Sequence, residues 1–210
     1  MQNQKRSYRG VIIGIVLSLV WIVATSIIGT LGYYEYQREA FHLWIIVSVA
    51  TPSLLFLTLI SLSSSMRKWT RSLNLAMLTL PHAWRTVGYS FLVLWFYGML
   101  PAGFAAPAGF GDFTIAIAAP FIAVALWLQL KNALSYGVLF HILGVVDLIV
   151  AIITGTSAYG VLEENIHIID PLTAFPMVII PTAFVPLLLM SHFMVFTKVA
   201  LDAKADYDTH

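Results

Sequence analysis

Residues 133–154 read ALSYGVLFHILGVVDLIVAIIT, and this stretch decides the fold class. It holds no Lys, Arg or Glu; its one carboxylate is Asp147 and its one imidazole is His141. As an α-helix rising 1.5 Å per residue it reaches ~33 Å, enough to cross a ~30 Å hydrocarbon core. Five further blocks of the same character accompany it, at about residues 11–31, 41–62, 85–100, 112–130 and 172–197. The block at 85–100 covers only ~24 Å unless its helix runs on past Pro101. Over the whole chain 60% of residues are hydrophobic and 10% are charged, against ~45–50% and ~25% in a soluble domain. So few charges cannot cover a water-soluble fold of this length. The expected fold is all-α: one polytopic transmembrane bundle over residues 1–210, with six membrane-spanning helices, several of them broken by proline.

The connecting segments set the orientation. With the N-terminus inside, Lys5, Arg6, Arg9, Arg67, Lys68, Arg71, Arg85, Lys131, Lys198 and Lys204 fall on the inner side and only Arg38 falls outside. Cytoplasmic loops carry the excess of Lys and Arg, so both termini are expected in the cytoplasm and the protein in the cell membrane. The outer loops carry Glu35, Glu39, Asp112, Glu163, Glu164 and Asp170 instead, a surface that favours approach of cations. Lys5, Arg6 and Arg9 precede the apolar run as in a secretory signal. The run from Val11 to Leu31 is longer than a signal core of ~7–15 residues, however, and no small-x-small cleavage site follows it. A retained first helix is expected.

Several function classes drop out. The chain has no cysteine, which removes disulfides, thiolate metal sites and cysteine nucleophiles. A formal charge of +1 with no basic run offers nucleic acid no footing. No H-E-x-x-H, G-x-S-x-G, P-loop or dinucleotide glycine pattern occurs, which leans against an enzyme without excluding an intramembrane one.

Breaks and small residues mark the helices. Pro52 and Pro120 fall inside blocks, while Pro171, Pro176, Pro181 and Pro186 recur every five residues into the last one. Each frees a carbonyl for which lipid has no donor. Between the third and fourth blocks, Pro101-Ala-Gly-Phe is echoed by Pro107-Ala-Gly-Phe ahead of Gly111 and Asp112. An outer hairpin is expected there, a re-entrant loop being the alternative, with Asp112 as the N-cap of the next helix. From Met66 to Leu80, Arg67, Lys68 and Arg71 lead Trp69, Leu73 and Leu75, which fits a helix among inner headgroups or a plain basic loop. Gly10 with Gly14, and Ala119 with Ala123, are small-x-x-x-small pairs that let helices approach. Tyr33, Tyr34, Tyr36, Trp69 and Trp84 suit interfacial belts.

An ionisable side chain in hydrocarbon costs at least ~2.5–3.5 kcal/mol on insertion scales, which makes each one a functional hypothesis. Counted from Ala133, Asp147 lies ~20 Å into its span, level with Thr25, Ser26, Ser48, Thr51, Tyr97 and Thr182. This layer is the expected intramembrane site, where a carboxylate could take up a proton or cation during transport; a structural hydrogen bond is the bland alternative. Gly137 and Gly144 on the face of His141 suggest room for a haem with His141 as axial ligand, although His82 and His192 count as ~10 Å shallower. His82 and Arg85 are read as an inner vestibule, and a ~20 Å offset between Arg85 and Asp147 predicts no ion pair between them. Glu163, His167 and Asp170 follow i, i+4, i+7 spacing but read as a solvated loop, so no metal site is expected. The expected function is a small-solute or ion permease, or a proton-linked membrane protein, surrounded by lipid. A b-type haem protein and an accessory subunit of a larger complex are the alternatives.

Overall fold

The structure, a computed structural model, describes residues 2–36, 40–161 and 170–207. Among the described residues every regular element is helical. Helix α1 spans Gln2–Thr30 and α2 spans Phe41–Leu62. Short helices α3 (Ser64–Ser72) and α4 (Leu75–Thr79) lead into a 3-10 segment, Leu80–Gly88, and then α5 (Tyr89–Phe96). Helices α6 (Ala102–Trp127) and α7 (Ala133–Val161) follow, and α8 (Val185–Tyr207) continues from a π-turn at Ile180–Phe184. Arg38, Glu39, Glu163, Glu164 and His167 lie outside the described residues.

Five stretches are long and apolar enough to cross a membrane: Ile12–Thr30, Leu43–Leu62, Ala102–Trp127, Ala133–Thr156 and Ile180–Ala205. Their side chains are sorted by size rather than by hydrophobicity. Leu17, Leu54, Phe121 and Ile153 are more than half exposed, whereas Ala105, Ala108, Ala119 and Ala183 are fully buried. Water would drive the large apolar groups inward, at ~25 cal/mol per Å². Lipid removes that preference and leaves close backbone packing, which small residues allow, to hold helices together.

Helix α6 is the central element. Its stripe of Ala105, Ala108, Gly109, Asp112, Ala116, Ala119 and Ala123 recurs every three or four residues and is buried. The α4–α5 rod runs antiparallel along one side: Phe91 meets Phe104 with ring centroids 5.2 Å apart, and a methyl group on Gly109 would strike Leu92. Helix α7 runs antiparallel along another, with Gly155 against Phe104 and Gly137 against Leu126. Helix α8 packs on α2 and α7.

This packing overturns the hairpin expected across residues 101–111. The turn is confined to Tyr97–Pro101, with Gly98 at φ +70° as the left-handed residue that ends α5. Helix α6 then starts at Ala102 and carries Pro107 inside it. The small residues that looked like a loop are the face that fits the rod, and Asp112 is a mid-helix residue instead of an N-cap.

The third block is also corrected. In place of a short helix at 85–100, a composite rod runs from Leu75 to Phe96, right-handed at both junctions (Leu80 φ −57°, ψ −38°; Tyr89 φ −57°, ψ −27°). The 3-10 portion rises ~2.0 Å per residue and the α portions 1.5 Å, giving ~37 Å in all.

One proline break is satisfied by a neighbouring helix. Pro186 has no N–H for the carbonyl of Thr182, and the Trp21 indole of α1 donates to that oxygen at 3.1 Å. At the end of α2, Arg67 donates to the carbonyls of Ile60 (2.8 Å) and Ser61 (2.9 Å), which have no helical partner of their own. Arg71 pairs with Asp202 at 3.0 Å, and Lys198 bridges the same carboxylate and the Arg71 carbonyl. Lys68 of α3 is exposed.

Candidate functional site

The rod places two polar residues one turn apart inside the bundle: His82, fully buried, and Arg85, 3% exposed. Arg85 reaches both flanking helices. Its Nε donates to Asp112 Oδ1 of α6 at 2.6 Å, its Nη1 to the Gly144 carbonyl of α7 at 3.2 Å, and its Nη2 to Asp147 Oδ2 of α7. The guanidinium fork spans acceptors that a point-charge ammonium could not reach together. Glycine makes room for this centre: a methyl group at Gly88 would overlap the Asp112 carboxylate, and one at Gly111 the Asp147 carboxylate.

The ion pair contradicts the offset expected between Arg85 and Asp147. Arg85 lies inside the rod and does not begin it. Counted from Leu75, with its second half in 3-10 rise, Arg85 stands ~18 Å along the rod, close to the ~20 Å of Asp147 along α7. For the same reason neither Arg85 nor His82 lines an open inner vestibule.

The layer expected around Asp147 does not gather there. The hydroxyls of Thr25, Ser26, Thr51 and Thr182 all bond carbonyls of their own segments, Trp21 or Ile22, Ile22, Val47 and Val178 respectively. Ser48 is buried on α2, whereas Thr51 and Tyr97 are exposed, the latter by 71%. Asp147 is instead partnered by Arg85, with Asp112 on the far side of the guanidinium.

Beside this centre lie three fully buried imidazoles, His82, His141 and His192, from the rod, α7 and α8. One ring nitrogen of each lies within 4.8 Å of the others. His192 was counted as shallow because the last helix was expected to end near residue 197; α8 runs on to Tyr207, which leaves His192 deep in the bundle. The rings pack directly, with centroids 4.1 Å (His82–His192), 4.9 Å (His141–His192) and 5.3 Å (His82–His141) apart. No slot for a porphyrin separates them. The glycines that suggested one are already filled: Gly144 by the His192 ring and Gly137 by Leu126.

A cavity of about 50 Å³ has Asp112 in its wall together with Phe91, Phe104, Leu148, Ala151 and Pro181. Its volume would admit a few waters, but its lining is almost wholly apolar and Asp112 is its one ionisable group.

Fold and site together define an all-helical protein, its apolar helices compatible with a membrane protein, built around a buried Arg–Asp–Asp centre with three histidines against it. The chain belongs to the family described as Domain of unknown function (DUF8737), whose model matches residues 40–200. The matched region starts after α1 and contains every residue of both polar groups. No curated protein and no solved structure matches the chain.

Proposed function

We propose that this chain is a single six-crossing bundle in the cell membrane, both termini cytoplasmic, that moves a proton or small cation, alone or with a small solute, through the Arg85–Asp112–Asp147 centre. The observation that carries the reading is the charge count. One guanidinium, its side chain 1% exposed, faces two carboxylates that are 13% and 14% exposed, so the fully ionised centre holds a formal −1 in a largely buried site. An unbalanced buried charge costs several kcal/mol, and one further positive charge, a proton or a cation, removes that cost. A site that gains by taking up and giving back a single cation is the core of a proton- or cation-linked protein. The other buried titratable groups beside Arg85 are His82, His141 and His192, which as neutral imidazoles leave the count unchanged.

Three further features support the reading. A cavity of about 50 Å³ has Asp112 in its wall, so that one carboxylate borders space a small ion can enter. The ~37 Å rod is long enough for a third crossing that brings Arg85 to mid-bundle. With Arg85 inside the bundle, nine of the ten remaining basic residues fall on one side of such a six-crossing chain, and the exposed apolar girdle makes lipid its surrounding partner.

Purified protein in liposomes with an internal pH dye and an imposed potassium diffusion potential tests it. Wild type is expected to admit H⁺ or, with Na⁺ outside, Na⁺ at a rate at least tenfold above Asp147→Asn, a variant that should elute and insert as wild type does. A wild-type rate equal to that of protein-free vesicles overturns the proposal.

A further inference from the structure

Hydrogen counting in the histidine cluster leads to a second site. Thr79 Oγ1 lies 2.8 Å from the Leu75 carbonyl and 3.1 Å from His141 Nε2. A carbonyl has no hydrogen to give, so the hydroxyl donates to Leu75 and His141 Nε2 donates to the hydroxyl. Ser191 Oγ stands in the same relation to the Leu188 carbonyl, at 2.8 Å, and to His82 Nε2, at 2.7 Å. Both neutral rings therefore carry their hydrogen on Nε2 and present Nδ1 as a lone pair. His141 Nδ1 lies 2.7 Å from His192 Nδ1, so His192 donates there and its Nε2 is a lone pair too. His82 Nδ1 and His192 Nε2 are buried and have no hydrogen-bond partner.

Two unpartnered acceptor nitrogens in a fully buried cluster need an explanation, since such groups normally find donors. No protein donor reaches either nitrogen, whereas one metal ion accepts lone pairs from both. We infer that His82, His141 and His192 bind one divalent transition-metal ion of the kind imidazole favours, such as Zn²⁺, Cu²⁺ or Ni²⁺. The site stands apart from the ion traffic proposed above.

The geometry suits the assignment. Ligand nitrogens ~2.0–2.1 Å from a tetrahedral metal are ~3.3 Å from one another, and one ring nitrogen of each of the three histidines lies within 4.8 Å of the others; the 2.7 Å His141–His192 contact is a hydrogen bond that the metal would replace. Metal-bound histidines commonly donate their second N–H to an oxygen that fixes ring and tautomer; Thr79 and Ser191 do this for His141 and His82, and helix carbonyls hold both hydroxyls in turn. The net negative Arg85–Asp112–Asp147 centre alongside offsets part of the metal's charge. Three nitrogens leave a coordination position open for water or an added ligand.

The test uses the full chain in detergent, stripped with chelator and titrated with Co²⁺, whose visible bands report nitrogen coordination, then back-titrated with Zn²⁺ under elemental analysis. One Co²⁺ per chain, displaced by Zn²⁺, is expected. Thr79→Val and Ser191→Ala keep all three imidazoles and should each weaken binding 10–100-fold; His141→Gln should weaken it more than 100-fold, and Asp147→Asn should leave the stoichiometry at one. Absence of Co²⁺ bands, or bands of equal strength in His141→Gln, overturns the site. Should His141→Gln not fold, the Thr79→Val titration decides, and wild-type affinity there is the contrary result.

Discussion

Replacing Arg85 with Met is expected to destabilise the folded protein by about 3–5 kcal/mol, the cost of leaving buried charges without their partner. The substitution keeps most of the side chain's length while removing every donor to Asp112, Gly144 and Asp147. Thermal unfolding in detergent should show it as a large drop in midpoint, accompanied by poor accumulation in the membrane. Adding Asp112→Asn and Asp147→Asn to the same chain should recover most of the loss, because the two carboxylates are then gone as well. Arg85→Lys should recover little, since an ammonium cannot meet acceptors on two helices through a planar fork. Equal stability of wild type and Arg85→Met would mean that the three residues do not meet.

Gly111→Ala is expected to cost 1–3 kcal/mol, the range for overpacking a filled interior, measured in the same unfolding assay. Alanine is the better helix former by ~1 kcal/mol, so propensity alone predicts the opposite sign. The added methyl group would overlap the Asp147 carboxylate, and Asp147 can retreat only by leaving Arg85. Gly103, on the same helix, has nothing within 4 Å of an added methyl group. Gly103→Ala should therefore be neutral or stabilising, and the contrast between the two variants separates the packing effect from the helix preference.

What could be read in the sequence was what hydropathy carries locally. Helix α2 matches the apolar block at 41–62 at both ends, and α1 ends and α7 begins within a residue of the blocks at 11–31 and 133–154, because a run without charge has little freedom to be anything else in lipid. Each of the latter two runs further at its other end. Asp147 and His141 stood out for the same reason: each is an expensive residue in such a run. The partners of Asp147 were hidden by geometry that no residue announces. The 3-10 winding of Leu80–Gly88 lengthens the rod and lifts His82 and Arg85 to the level of His141 and Asp147. Asp112 was assigned to a loop because two Pro-Ala-Gly-Phe repeats read as a turn, although Ala105, Ala108, Gly109, Ala116 and Ala119 continue one helical stripe straight through it. That periodicity was the available signal. Hydroxyl residues were the poorest guide, since in an apolar medium Ser and Thr bond the carbonyl of the preceding turn and need no site.

The account rests on the Leu75–Phe96 rod passing through the membrane with Arg85 inside it. With no native cysteine, single cysteines can be placed at exposed positions flanking the rod, as Ser72→Cys and Tyr97→Cys, and tested in sealed cells with a membrane-impermeant maleimide. Tyr97→Cys is expected to label from outside in intact cells, and Ser72→Cys only after the membrane is opened. Labelling of both from the same side would contradict the crossing, and with it the buried centre.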